Sequence, residues 1–500
     1  MNAMKTSVYD PAKKQAPQSL GRVCVLGLGK SGRIAADYCV DLLGTRVSSV
    51  FVAAGKPNAQ TQDFAQTLIE RGAQVVYGED ALDDVIKTLP EGEKAFNVCI
   101  ASPGISEFSD FYQTAVRASE EVISEVEFAW RESDAHAIWI AITGTNGKTT
   151  TTALTAHLLR ACGKRAQAVG NIGDTCLEAV RAHRTDYYVA EVSSYQLAST
   201  IDFAPDVAVL LNITPDHLAW HKSMDAYIAA KQKVYANAKK LVVLDATNDV
   251  VRELTKAIKA RPEAERGFDY LPLGCAKGIT YSMHDACGSK NAAFLDNGVL
   301  RVDLDGNTHR LIEEGDLQIK GEHNVSNALA AASAVLGLVD NVDGVREGLI
   351  SFAPLEHRIE PCGSVMGVAC YNDSKATNVD ATLKALAAFG NKRPLVLLGG
   401  DDKGTDLSEL VAEAEAHTKG VVCFGEAGDR FFAAFAESSL PHVQANHLED
   451  AFDAALAQAE SGDIVILSPA CASFDEFSCY QERGKVFKQM VVDRAQTRGA

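Results

Sequence analysis

This 500-residue sequence is short of positive charge, of paired cysteines and of long apolar runs, and each shortage excludes something. It carries 48 Lys+Arg against 66 Asp+Glu, a formal charge of −18. So acidic a surface repels phosphate backbones and anionic lipid, which argues against nucleic-acid and membrane partners. A local basic pocket for a phosphorylated small molecule stays open. The twelve cysteines include no Cys-x-x-Cys pair, so neither a disulfide framework nor a zinc site is expected. Cys24, Cys99, Cys162 and Cys423 stand in apolar stretches and are expected to be core residues in a reducing cytosol. No run reaches the ~18 apolar residues that cross a bilayer. The polar stretch from Met1 to Gln18 lacks the apolar centre of a signal peptide.

What remains is an ordinary globular composition, 47% hydrophobic and 23% charged, long enough for about three domains. Three blocks alternate strand and helix, the pattern of parallel sheets. The first has expected strands at 23–26, 47–52 and 97–100, with a helix from Ser31 to about Leu43. A polar, helical stretch over 120–134 precedes the second block. That block has strands at 137–142, 187–190, 207–211 and 241–244, an antiparallel excursion over 261–316, and a helix over 324–338. The third begins near Pro354, with strands at 395–398, 421–424 and 464–467. No internal repeat or low-complexity tract interrupts this order.

Two Gly-rich turns follow strands and open helices. Gly27-Leu28-Gly29-Lys30-Ser31-Gly32 suits a phosphate at a helix N-terminus. A dinucleotide site also wants an acid about 20 residues on, where Phe51-Val52-Ala53-Ala54-Gly55 has none. Another nucleotide diphosphate, or simple close packing, fits as well. Gly144-Thr145-Asn146-Gly147-Lys148-Thr149-Thr150 is stronger. It is a phosphate loop whose first glycine stands at 144, because the usual earlier position holds Ile142. Lys148 can neutralise phosphate oxygens, and the Thr149 hydroxyl can ligate Mg²⁺.

That loop resembles the ATP loop of the Mur ligases and folylpolyglutamate synthases, which join an amino acid to a carboxylate using ATP. Glu191-Val192-Ser193-Ser194-Tyr195-Gln196-Leu197, Asn212-Ile213-Thr214-Pro215-Asp216-His217, Gly321 through Ala328 and His357-Arg358 follow in Mur ligase order. The segments Asn372 to Asn378 and Ser468 to Asp475 look like the D-glutamate-adding branch. The resemblance runs from about residue 22 to about 490. It implies three α/β domains in series: a Rossmann-like domain over 1–135 (1–20 a tail) for a UDP substrate, a P-loop ATPase-like domain over 136–353, and a Rossmann-like domain over 354–500 for the amino acid.

The resemblance also implies residue roles. ATP falls to Gly144, Thr145, Asn146, Gly147, Lys148, Thr149 and Thr150, with one or both of Asn324 and Asn327 at the adenine and Arg358 and Asp373 at phosphate and ribose. Two Mg²⁺ ions fall to Thr149, Glu191, His217 and a carbamylated Lys231, which by sequence alone is one exposed helix lysine among several. Lys375 falls beside the transferred phosphate. Gly29, Lys30, Ser31, Ser102, Gly104, Asn171 and Ser193 fall to UDP-N-acetylmuramoyl-L-alanine. Thr377, Lys403, Ser473, Phe474 and Tyr480 fall to D-glutamate. A cytoplasmic monomer is implied, with a third domain that closes on its ligands. Another Mur ligase, a folylpolyglutamate synthase or a dinucleotide-dependent oxidoreductase are the alternatives. A GTPase would want an Asn-Lys-x-Asp base reader, which Asn391-Lys392-Arg393-Pro394 does not supply.

Overall fold

The computed structural model describes residues 18–78, 80–87, 93–274, 289–319, 321–402 and 404–498. Three sheets form, each from short apolar runs that end at glycine or a polar turn. The first has β1 (Gly21–Leu26), β2 (Val47–Ala54), β3 (Gln74–Tyr77), β4 (Phe96–Ala101) and β5 (Ser119–Ser124). They are all parallel, in the order β3-β2-β1-β4-β5. The order reverses between β1 and β4. There the connections leave a crevice beyond the strands' carboxyl ends.

The central sheet takes β6 (Ile138–Thr143), β7 (Ala166–Gly170), β8 (Tyr187–Glu191), β9 (Val207–Leu210), β10 (Leu241–Asp245), β11 (Asp269–Gly274), β12 (Ala292–Asp296), β13 (Val299–Leu304) and β14 (Asn307–Glu313). Their order is β14-β13-β12-β11-β10-β9-β6-β8-β7. β6 lies between β8 and β9, so the loops after these three strands converge at one edge. The last sheet takes β15 (Glu360–Val365), β16 (Val368–Asn372), β17 (Leu395–Gly399), β18 (Gly420–Phe424), β19 (His442–Gln444) and β20 (Ile464–Ala470). It is ordered β15-β16-β20-β17-β18-β19.

Three expectations need correction. The 120–134 stretch is not wholly helical: Ser119–Ser124 is an edge strand, and the helix is Glu125–Glu132. The 261–316 region is only partly antiparallel. β11 pairs parallel with β10, and the antiparallel pairing begins at β12. The third sheet opens on an antiparallel hairpin, β15–β16. No helix is long and apolar enough to cross a membrane among the described residues.

By contacts, the chain forms two compact units: Met1–Asp316 with Ser326–Ile350, and Leu317–Val325 with Ser351–Ala500. In the first, the helix Glu125–Glu132 carries Phe128, Ala129 and Trp130 into an apolar cluster shared with residues of β1, β6 and β8. Trp139 stacks on Tyr188 at 4.8 Å within it. In the second, apolar clusters cover both faces of the last sheet. Cys24, Cys99, Cys162 and Cys423 are buried, as their apolar surroundings imply.

Candidate active site

The loop after β6 is built around a glycine that nothing else can replace. Gly147 has φ +82°, and a Cβ there would press on Asn327 Oδ1. The helix Lys148–Ala161 starts beyond it with no side-chain cap, so its first N–H groups have no partner within the helix and form the kind of end that takes an anion. Asn212, after β9, braces the loop: its Oδ1 accepts from Asn146 N at 2.8 Å and its Nδ2 donates to Asn146 O at 3.1 Å. Thr145 Oγ1 lies 2.9 Å from Tyr227 Oη. Thr149 is half-buried and Thr150 buried. Asn327 Oδ1 accepts from Thr151 Oγ1 at 3.1 Å, so a residue expected at the adenine also holds the helix against this loop.

Two lysines meet at one carbonyl. Lys148 Nζ donates to Gly144 O at 2.8 Å and Thr145 O at 2.7 Å. Lys231 Nζ donates to the same Gly144 O at 2.7 Å. Lys231 is 1% exposed, so its surroundings are far from those of a solvated helix lysine. Burial, and then the neighbouring Lys148 charge, push the Lys231 amine well below the usual lysine range. Burial thus favours the uncharged form of this amine over that of a solvated lysine.

Glu191 ends β8 and is 1% exposed. Asn171 Nδ2 donates to its Oε1 at 2.8 Å. Its Oε2 is buried with no hydrogen-bond partner among the described residues. A buried carboxylate oxygen without a donor is costly and is the kind of acceptor a hard cation takes. His217 has φ +56° and lies 3.4 Å from Asp216 Oδ2. Its ring tilts against Tyr195 at 4.9 Å. The hydroxyl of Thr149 and the carboxylate of Glu191 therefore fit Mg²⁺. Lys231 fits only as a carbamate, since an ammonium repels a cation.

In the first sheet, Gly27 has φ +92°, and a Cβ on Gly32 would collide with the Gly27 carbonyl. Ser102, 7% exposed at the end of β4, packs against both glycines. These two glycines serve close packing. Gly29 differs: it has open space around it and heads the helix Lys30–Asp41 with no side-chain cap. Gly104 is equally open, and Ser31 is half-buried. Lys30 Nζ donates to Gly173 O at 2.6 Å. Ser193 caps the helix Ser194–Ala198 through a reciprocal bond with Gln196. β2 ends at Ala53-Ala54 with no acid.

Glu125 is a residue that sequence reasoning passed over. It is 2% exposed, its Oε1 accepts from Leu177 N at 2.6 Å, and its Oε2 has no partner among the described residues. Burial pushes its carboxyl up to about 7. The folded state then keeps a proton that the unfolded chain releases, so this group's contribution falls as pH rises from about 4.5 to about 7. Glu125→Gln removes that fall. We expect its stability relative to the parent to rise by about 3 kcal/mol across that window. Urea titrations of both proteins at pH 4.5 and pH 8 check this; a difference that does not change with pH refutes it.

In the second unit, Asp373 is buried beyond β16. Its Oδ2 accepts from Ser468 Oγ at 2.8 Å and its Oδ1 from Ile359 N at 3.2 Å. Burial pushes the carboxyl up to about 7. Lys375 Nζ lies 3.9 Å from the centre of the Tyr480 ring. The Thr377 amide donates to Lys375 O at 2.8 Å. Ser473 is buried, whereas the Phe474 ring beside it is 70% exposed. Asn324 opens the helix Glu322–Leu336, its amide donating to Gly321 O. Arg358 is one of the cations that, after burial, hold His323 down to about 4. Lys403 lies outside the described residues.

Arg483 is the second residue sequence reasoning missed. It is fully buried. Its Nε donates to Ser374 Oγ, its Nη2 to Ser374 O and Cys471 O, and its Nη1 to Ala472 O, all within 2.9–3.0 Å. One guanidinium thus ties the loop of Lys375 to the loop of Ser473. The only signal was an arginine three residues past Tyr480. Glu356, His357 and Glu360 also cluster. Lys488 bonds both carboxylates, at 2.6 and 3.0 Å, and so takes the place of a cation there.

Residues 142–335 match the Mur ligase middle domain, and residues 357–471 the Mur ligase glutamate ligase domain. The UDP-N-acetylmuramoylalanine–D-glutamate ligase of Koribacter versatilis is 33% identical over 477 residues, which cover 94% of this chain and 97% of that protein. The enzyme of the same name from Salinibacter ruber is 38% identical over 488 residues, covering 94% and 97%. Among solved structures, MurF from Acinetobacter baumannii has the same fold. Its TM-score is 0.58 at 17% identity, covering 96% of this chain and 95% of that one.

Proposed function

This chain belongs to the Mur ligase family, and from that membership we propose that it joins D-glutamate to UDP-N-acetylmuramoyl-L-alanine at the expense of ATP, in peptidoglycan precursor synthesis. The reading rests above all on the phosphate loop after β6, where Lys148 and the buried Lys231 share the Gly144 carbonyl. The substrate carboxylate attacks the γ-phosphorus, the β–γ P–O bond breaks, and ADP leaves an acyl phosphate. The D-glutamate amine, unprotonated, then attacks the acyl carbon. The C–O bond to phosphate breaks, phosphate leaves, and the amine proton passes to solvent.

Such transfers depend on alignment and charge neutralisation more than on covalent help. Lys148 exchanges its bonds to Gly144 and Thr145 for phosphate oxygens. The N–H groups of the helix's first turn take others. Thr149, Glu191, His217 and a carbamate on Lys231 are the residues that would hold Mg²⁺, and the ion would shield the phosphate charge. Gly29, Ser31, Ser102, Gly104, Asn171 and Ser193 are assigned to the UDP-linked acid, with Lys30. Asn324, Asn327, Arg358 and Asp373 are assigned to ATP, and Lys375 to the transferred phosphoryl group. Thr377, Lys403, Ser473, Phe474 and Tyr480 are assigned to D-glutamate.

A phosphate-release assay with ATP, Mg²⁺ and UDP-N-acetylmuramoyl-L-alanine tests this. D-Glutamate should support turnover, and L-glutamate, meso-diaminopimelate and D-alanyl-D-alanine should not. No release with D-glutamate, or release with another amine instead, sinks the assignment. The carbamate has its own check. Lys231→Ala should lose about 10²-fold or more in kcat and regain part of it with added acetate or formate. An alanine variant at parental speed, or one indifferent to added carboxylates, ends that part.

A further inference from the structure

His221 is 0% exposed and takes no part in the chemistry above. Its Nε2 lies 2.9 Å from Ser194 Oγ, and its Nδ1 is buried with no partner among the described residues. An orphaned ring nitrogen in a core costs about 1–3 kcal/mol, so a phenyl ring would be the cheaper filling if packing were all that mattered. Its neighbours suggest what the nitrogen is kept for. Ser194 stands three residues beyond Glu191. Tyr195 stacks on Trp220 at 4.6 Å and tilts against both His217 and His221. The His221 amide donates to His217 O at 3.1 Å, closing the short helix that His217 heads. On the other side, Tyr227 tilts against the His221 ring at 5.2 Å. Tyr227 in turn carries the Lys231 amine over its ring at 4.8 Å and reaches Thr145 in the phosphate loop.

We propose that His221 is a positioning residue. Its bond to Ser194 and its ring contacts set the mutual spacing of Glu191, His217 and Lys231, and thereby the affinity for the divalent cation. This rests on the assignment of those three residues as metal-holding. The spacing belongs to three separate segments, none of which touches another by main-chain pairing at this point. The His221 ring, wedged between Ser194 and Tyr227, ties all three together where the Tyr195–His217 contact joins only two of them. Groups orienting metal ligands from behind are worth about 10–100-fold in affinity.

The test uses the full chain and Mn²⁺ as the probe, with free Mn²⁺ followed by electron paramagnetic resonance in the presence of ADP. His221→Phe keeps an aromatic ring of similar size and removes the bond to Ser194. Its Mn²⁺ dissociation constant should rise about 10-fold or more, while its urea midpoint holds or increases. His221→Gln, which can reach Ser194 again, should return to within about threefold of the parent. Ser194→Ala breaks the same bond from the other side and should weaken Mn²⁺ binding with the ring in place. It carries the test if the phenylalanine variant does not fold. Parental Mn²⁺ affinity in His221→Phe, or in Ser194→Ala where that variant carries the test, overturns the proposal, as does failure of the parent to bind Mn²⁺. A parent that binds Mn²⁺ and responds to these substitutions, but forms no phosphate with D-glutamate, overturns the assigned reaction and leaves the role of His221 standing.

Discussion

Lys148→Ala lowers kcat/KM for ATP by about 10³-fold and leaves the fold intact. The argument is electrostatic. The Lys148 ammonium stands in the phosphate loop, donating to Gly144 O and Thr145 O, and removing one preorganised charge from a phosphoryl-transfer site costs about 3–4 kcal/mol of transition-state binding. The structural loss is smaller, because Lys148 gives up neutral bonds such as those to the Gly144 and Thr145 carbonyls of its own loop. We expect less than about 2 kcal/mol in unfolding free energy. Phosphate release under saturating UDP-linked acid and D-glutamate, set beside a urea titration, measures both. An alanine variant that turns over within tenfold of the parent contradicts a phosphate role for this loop. Lys231 complicates the result in an informative way. With Lys148 gone, the charge that helps hold the Lys231 amine down is gone too. Its protonated form is then favoured, and any carbamate on it should form less readily.

Arg483→Met costs the second unit about 3–5 kcal/mol, the largest effect on stability expected here. The methionine fills the volume but donates nothing. Ser374 Oγ and the carbonyls of Ser374, Cys471 and Ala472 then face a buried space with one donor fewer each. Arg483→Lys keeps the charge but cannot reach both loops from one planar fork, and should recover less than half of the loss. Burial lowers Arg483 only to about 10, so the guanidinium is charged at neutral pH, and its cost of burial is offset by the carbonyls around it. Urea unfolding of parent and variants gives the numbers; a loss below about 1 kcal/mol for methionine means the loops hold themselves.

How much of this was legible follows from where each signal comes from. Buried parallel strands are continuous apolar runs, and β1, β6, β8, β10, β17 and β18 stand within a residue or two of their expected places for that reason. β5 is an edge strand with the sequence Ser-Glu-Glu-Val-Ile-Ser, in which Glu120 is exposed and Glu121 half-buried. It lacks that run and merges with the helix after it. β11 escaped as a parallel strand because nothing local distinguishes its partner β10 from the antiparallel neighbours further on.

The site divides the same way. A phosphate loop is a property of seven consecutive residues, so Gly144 to Thr150 could be read directly. The burial of Lys231 is set by Gly144, 87 positions away, and the usefulness of Arg483 by Ser374, 109 positions away. From the chain alone, both are ordinary cations on helices. Glu125 and His221 are likewise made unusual only by what packs against them.

The amino-acid order by itself determined the α/β class, the places of the glycine turns and the kinship with carboxylate–amine ligases, because these are written in short windows of residue type and spacing. Which lysine is buried and held below its usual range, which carboxylate oxygen is left without a donor and which arginine joins two loops were decided by tertiary contacts. Desolvation and hydrogen bonding depend on neighbours that the chain brings together only on folding.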